Sequence, residues 1–229
     1  MDEHLTVIET QPQSNLSLRV REALTRAMMA CTKLSADVVA MGGMSGKKYR
    51  YFINNLIESL DDPRYLEVGV WEGSTFCAAI FGNRVTATAI DDWSQFGGPS
   101  TKFFANLSRY KGPDAKVSFL EMDFKKVDYA SLGQHDVYLF DGPHAEDDQF
   151  SGLTISQPAL ASEYVVIVDD WNWSQVRNGT FRAIQDLKLT VDFAAEICTT
   201  LDNSTPKVGH GNSDWHNGYF IAAVRKTLV

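Results

Sequence analysis

The sequence predicts a doubly wound α/β fold with a mostly parallel seven-stranded sheet, an antiparallel C-terminal hairpin and N-terminal cap helices. Three observations predict it. From Tyr65 onward, short runs nearly continuous in Val, Ile, Leu, Phe and Tyr alternate with amphipathic stretches, the pattern of strands covered on both faces. Five strand-then-helix units follow one another, and parallel neighbours need such long crossovers. With 229 residues, 44% hydrophobic and 22% charged, the chain can bury a full core as one domain, which excludes a disordered, collagenous or coiled-coil whole.

The elements follow in order. Residues 15–34 space apolar groups at helical intervals, and FINNLIESL at 52–60 does so again, so both read as cap helices. Between them AMGGMSGKKYR reads as a mobile Gly-rich loop. Residues 1–46 are then a helical cap and lid, and 47–229 the main domain of a single compact unit. Strand YLEVGV is followed by a helix over 74–81, strand VTATAI, a helix over 100–109 and strand VSFL. A short helix, strand DVYLF, a helix over 147–161, strand YVVIV and a helix over 174–187 come next. Two closing strands, near 191–200 and 219–225, have no helix between them and form the hairpin.

Several function classes are excluded. The longest apolar runs, such as YVVIV, fall far short of the roughly 18 to 20 residues that cross a bilayer. MDEHLTVIETQ lacks the basic start and apolar stretch of a secretory signal, so a cytoplasmic location is expected. Cys31, Cys77 and Cys198 lie far apart without CxxC spacing and read as buried thiols. A net charge of −8 opposes phosphate neutralisation, so no nucleic-acid partner is expected. Small-molecule chemistry remains, and a homo-oligomer is left open.

In such sheets ligands lie beyond the carboxyl ends of the strands. The first strand-to-helix turn reads EVGVWEGST. Gly69 allows close backbone approach, and Gly73 and Ser74 open the next helix, whose free N–H groups favour acceptor atoms. The spacing is GxxxG, not the GxGxxG of a dinucleotide turn. Glu67 would repel a pyrophosphate yet suits a ligand carrying an ammonium and a sulfonium. A generic tight turn is the competing reading. Twenty-two residues after Gly69 stands Asp91, followed by Asp92, placed to accept ribose hydroxyls or to cap a turn. LEMDF ends the third strand, with Asp123 either on an adenine amino group or on a solvated turn.

The chain here resembles the class I S-adenosylmethionine-dependent methyltransferases, over roughly residues 47–226. That resemblance implies a Rossmann-like sheet. It also implies that Glu67 and Gly69 contact the methionine part of the donor, Asp91 the ribose, and Met122 and Asp123 the adenine. MGGMSGKKYR resembles the N-terminal lid of small-molecule O-methyltransferases, with Met41, Ser45 and Gly46 as its candidate contacts.

The fourth strand ends in DVYLFDGPH and the fifth in YVVIVDDWNW, so Asp141, Asp169 and Asp170 all stand at carboxyl ends. On adjacent strands about 4.8 Å apart they would repel unless they protonate or share a cation. An oxygen-rich trio suits Mg²⁺, with Mn²⁺ or Ca²⁺ as alternatives. Turn and helix capping is the competing reading. The pattern, Asp141 and then the Asp169–Asp170 pair 28 positions on, resembles the metal-dependent O-methyltransferases. The macrocin and novobiocin sugar enzymes are nearest, the catechol-type enzymes more distant. The sugar group usually continues Asp-Gly-Asp, whose second acid is the suspected base, whereas Pro143 stands here. His144 is the nearest replacement, a residue type that titrates close to neutrality and so suits proton removal. Catechol-type enzymes usually carry Asn where Asp170 stands.

The expected reaction is therefore methyl transfer from S-adenosylmethionine to a hydroxyl of a sugar-containing or phenolic small molecule. His144 and Asp141 are its catalytic candidates. Trp93, Trp171 and Trp173 follow strand ends and are candidates to wall the acceptor site, with core or edge packing the competing reading for each one alone. The loop at 203–218 reads either as a lid, with His210 and His216 as candidates to contact substrate or serve as a second base, or as a disordered surface loop. The rival readings are a donor-binding module without turnover, a metal-dependent hydrolase on the same sheet, and, disfavoured by Glu67, a nicotinamide oxidoreductase.

Overall fold

Alternation along the central strands decides the architecture of the computed structural model, which describes residues 6–207 and 213–227. In β2 (Arg64–Val68) and β5 (His135–Phe140), Tyr65, Val137 and Leu139 face one layer while Leu66, Val68, Tyr138 and Phe140 face the other. Both faces are apolar, so both must be covered. On the first face lie α1 (Asn15–Met28), α2 (Ala36–Val39), α3 (Lys47–Ser59), α4 (Ser74–Ile80) and α5 (Ser100–Tyr110). Leu24, Phe52, Leu56, Phe76 and Phe103 bring them into one core. On the second face, α6 (Glu146–Ile155) and α7 (Ser174–Asp186) bury Leu153, Val176 and Ala183.

The sheet is completed by β1 (Thr6–Glu9), β3 (Val85–Asp91), β4 (Ala115–Glu121), β6 (Leu160–Asp169), β7 (Thr190–Cys198) and β8 (Tyr219–Arg225). Its order is β1-β7-β8-β6-β5-β2-β3-β4. Strands β2 to β6 pair in parallel, and β8 pairs antiparallel with β6 and β7. The mostly parallel sheet with its closing hairpin is the expected fold class. From β2 the chain winds outward through β3 and β4, then returns to β5 on the other side of β2. The switch point therefore lies between β2 and β5.

Several boundaries differ from expectation. An eighth strand, β1, pairs antiparallel with β7 (Thr6 opposite Cys198) and adds an edge the sequence did not announce. The first helix ends at Met28, and Ala30 turns the chain at φ 55°. Helix α3 starts at Lys47, so the basic KKYR lies on its first turn. The expected helix over 147–161 stops at Ile155, because Pro158 enters a 3₁₀ turn and β6 begins at Leu160. Cys77 is buried as expected, but Cys31 is exposed and Cys198 half-buried, and all three are free thiols. Among the described residues, no helix is long and apolar enough to cross a membrane.

Candidate functional site

One cleft of about 750 Å³ opens over the carboxyl ends of β2, β3, β5 and β6, within the size range of small-molecule sites. Its floor is set where β2 and β5 end. Gly69 has φ 84°, its N–H donates to the Ile90 carbonyl at 2.9 Å, and a Cβ there would stand 1.9 Å from the Asp141 carbonyl oxygen. Only glycine allows the two strand ends to converge this closely. Gly73 (φ 86°) caps α4 beside the Phe103 ring, so it shapes the turn and does not line the cleft.

The next strand end locks that turn. Asp91 accepts from Val70 N at 2.9 Å and Trp71 N at 3.0 Å through one oxygen, and from Trp93 N at 2.8 Å through the other. These bonds hold Trp71 (φ 43°) and Trp93 (φ 55°) in left-handed backbone, an arrangement that persists only where the surroundings impose it. Asp92 accepts from Ser94 N at 3.0 Å, and the Ser94 hydroxyl together with that N–H pulls its carboxyl below the usual range. Met122 and Asp123 line the cleft. Asp123 also accepts from Lys125 N at 2.9 Å and caps a 3₁₀ turn, so the turn reading is realised as well.

Glu67 is placed differently from the donor contact expected of it. It is fully buried beneath the turn and accepts hydrogen bonds from the Tyr65 and Thr75 hydroxyls. Removal from water raises its pKa to about 8, against the pull of those two donors. Ser74 also lies off the main cleft. Its hydroxyl meets that of Ser45 at 2.8 Å beside a recess of about 20 Å³ that also touches Asp141. In the Gly-rich segment Met44, not Met41, lines the cleft, and Gly46 packs against the Asp214 carbonyl.

Strands β5 and β6 are adjacent, with Phe140 opposite Val168, so Asp141, Asp169 and Asp170 meet at one corner of the cleft. Burial and the charges of Asp169 and Asp170 push the Asp141 carboxyl well above its ordinary range. Burial and the charge of Asp170 do the same to Asp169, opposed by the Asp170 N–H that it accepts from. One potential ligand atom from each of Asp141, His144 and Asp170 lies within 4.8 Å of the others. His144 Nε2 is 2.8 Å from Asp170 Oδ2, and Asn217 Nδ2 donates to Asp170 Oδ1 at 2.6 Å. Asp169 sits deeper, accepting from the Asp170 N–H at 2.6 Å. Asp170 itself has φ 59°. Asp141 and Asp170, with Asp169 beside them, fit a divalent cation in charge and donor type, and His144 stands within reach of the same corner.

The aromatic walls divide. Trp173 lines the cleft, edge-on to His144 at 4.8 Å between ring centres. Trp171 is fully buried, stacked on Phe220 at 4.6 Å with its N–H donating to Glu196. Trp93 packs against Phe119 and Phe103. Neither Trp171 nor Trp93 walls the cleft. His216, Thr205, Pro206 and Lys207 do line it, while His210 lies outside the described residues. Sequence reasoning missed Trp71, Phe96 and Asn217 as lining residues. Trp71 stands inside the glycine turn and Asn217 two residues before β8, whose residues Tyr219 to Val224 are all buried, signals available from position alone.

Residues 66–171 match the model of a family described as a methyltransferase domain. No curated protein matches the chain at significant similarity. Among solved structures, the O-methyltransferase from Bacillus cereus in complex with S-adenosylhomocysteine (SAH) is similar at TM-score 0.53 and 15% identity, over 94% of this chain and 92% of that one. The SAH-bound Podospora anserina methyltransferase PaMTH1 gives TM-score 0.54 and 10% identity, over 96% and 91%. TrmN from Thermus thermophilus gives 0.54 and 12%, over 83% of this chain but only 52% of TrmN, so this chain spans about half of that protein.

Proposed function

We propose, from the match of residues 66–171 to the model of a methyltransferase-domain family, that the protein is an S-adenosylmethionine-dependent, divalent-cation-dependent O-methyltransferase acting on a small-molecule hydroxyl, sugar-borne or phenolic. One observation carries the proposal: the Asp141, His144 and Asp170 cluster opens into the same cleft as the Gly69 turn and Asp91. The SAH-bound state of two similar structures supports the choice of donor.

In the reaction the acceptor oxygen attacks the donor methyl carbon in line. The C–O bond forms as the C–S bond breaks, and SAH leaves. A divalent cation at the acidic corner would lower the pKa of an acceptor hydroxyl and fix its direction. Asp141 and Asp170 are the carboxylates placed to hold it, with Asp169 behind them. His144, oriented through Nε2 by Asp170, keeps Nδ1 as its basic nitrogen in the tautomer that protonates Nε2, and there it takes the hydroxyl proton. Asp91 holds the donor-side loop closed, and Trp173 covers the acceptor side. Holding both reactants in one cleft supplies much of the remaining acceleration.

Isothermal titration with SAH and Mn²⁺, followed by SAH production on a panel of sugar and phenolic hydroxyls, tests this. Binding of both, with cation-stimulated turnover, is the expected result. Mn²⁺ binding without SAH binding would move the protein to the hydrolase reading, and SAH binding without Mn²⁺ binding or turnover to a donor-binding module.

A further inference from the structure

Arg50 is a fully buried cation on α3, and the groups its donors reach are backbone carbonyls and one serine. Its Nη1 donates to the carbonyls of Val38 (3.2 Å), Val39 (3.0 Å) and Met41 (2.7 Å), its Nη2 to Ser45 O at 3.2 Å, and its Nε to Ser45 Oγ at 3.0 Å. A buried charge is costly unless its donors are satisfied. Here satisfaction requires one conformation of residues 38–45, because a planar guanidinium offers its donors in a fixed fork.

The segment so fixed is part of the cleft. Ser45 Oγ continues to Ser74 Oγ at 2.8 Å, on the first turn of α4. Gly43 passes so near that a Cβ would stand 2.2 Å from the Ser74 hydroxyl. Met44, between them, lines both the main cleft and the recess beside Ser74 and Asp141. On its other side the segment is seated by Lys47 N and Lys48 N, donating at 2.9 Å to the carbonyls of Ser213 and Asp214. Nearby His216 and Asn217 also line the cleft.

We infer that Arg50 is a positioning residue that sets affinity for the methyl donor by holding residues 38–45 against the start of α4. The inference rests on the donor reading above. Arg50 touches no ligand itself. It acts through Ser45 and Met44, so its loss weakens donor binding more than it slows chemistry at saturating donor.

The test is titration of SAH into wild type, Arg50→Gln and Ser45→Ala, with thermal unfolding of the ligand-free proteins alongside. Arg50→Gln is expected to weaken SAH binding by about tenfold or more, and Ser45→Ala by about threefold, from the hydrogen bonds each removes. KM for the donor should rise in parallel while kcat moves less than about threefold, and amide exchange over 38–45 should speed up. Arg50→Lys, with one compact donor group, is expected to recover only part of the affinity. A folded Arg50→Gln that binds SAH within about twofold of wild type overturns the inference, whatever its loss of thermal stability. Should Arg50→Gln not fold, the SAH affinity of Ser45→Ala decides in its place, and a value equal to wild type overturns the inference. Wild type that fails to bind SAH overturns the donor reading and this inference together. Binding that is equal in wild type and variants overturns this inference alone.

Discussion

A carboxyl group that cannot reach water is a neutral acid at pH 7, and Glu67 is such a group, with its pKa raised to about 8 by burial. In the unfolded chain it ionises near the ordinary glutamate value of about 4.3. Between those values the unfolded state holds fewer protons, so stability falls as pH rises and the loss is complete above about 8. The slope from this one group approaches about 1.4 kcal/mol per pH unit. Glu67→Gln should remove it. Urea unfolding at pH 5, 6, 7 and 8 is expected to show the variant gaining on wild type as pH rises, with SAH affinity changed less than about threefold. A flat difference would mean that Glu67 is already charged in the fold. Position explains the burial: Glu67 shares strand parity with Tyr65, so it points under α4 towards Thr75. An acidic residue before a glycine turn reads from sequence as a ligand contact, because the sequence shows the spacing and not which hydroxyls wait inside. His144 is the opposite case. Its place after Pro143 was legible, and its 2.8 Å contact with Asp170 makes two roles distinguishable. As the base, His144→Asn should cost about 10² to 10⁴ in kcat while Mn²⁺ affinity stays within about threefold. A tenfold loss of Mn²⁺ affinity in that variant would make His144 a ligand instead.

At the level of elements, the turn between β2 and α4 is where close packing leaves least freedom. Gly69→Ala would place a Cβ against the Asp141 carbonyl and ask alanine to adopt φ 84°. A backbone atom cannot rotate aside as a side chain can. The expected cost is about 3 kcal/mol or more, read as a fall in the urea midpoint with unchanged m-value, together with loss of SAH binding. An alanine variant of unchanged midpoint would show that the two strand ends separate easily. The strands that meet at this turn were legible because each is apolar on both faces. Strand β1 was not, since Ile8 is 60% exposed and the strand covers only the edge of β7. An edge strand with one partner carries little hydrophobic signal. Trp171 and Trp173 show the same limit: two residues apart after one strand, one is swallowed by the α7 layer and the other faces the cleft. The chain enters this turn at Asp170, at φ 59° just ahead of Trp171, and the turn sends the two rings to opposite sides.

Over the whole molecule, hydrophobic burial on both faces of the sheet holds a cluster of acids together. Asp141 and Asp169 have carboxyls pushed well above the ordinary range by burial and mutual charge. The sign is the same as for Glu67: the ligand-free fold is expected to lose stability as pH rises out of the ordinary carboxylate range. A divalent cation held by the cluster would reverse this, since a ligand bound only by the folded state stabilises it by RT ln(1 + [L]/Kd). At one hundred times Kd that is about 2.7 kcal/mol, or about 5 to 10 °C in Tm for a domain of this size. Asp141→Asn separates the two terms. It removes one charge from the corner, so the ligand-free variant is expected to melt above wild type at pH 7.5, and it deletes a ligand, so Mn²⁺ should no longer raise its Tm. Chelator-treated wild type and variant, scanned with and without Mn²⁺, give four melting curves. If wild type gains nothing from Mn²⁺ while Asp141→Asn is more stable without it, the cluster is a strained acidic corner and not a cation site. If neither change appears, the like charges are already relieved by protonation at pH 7.5, and a second series at higher pH must restore the difference.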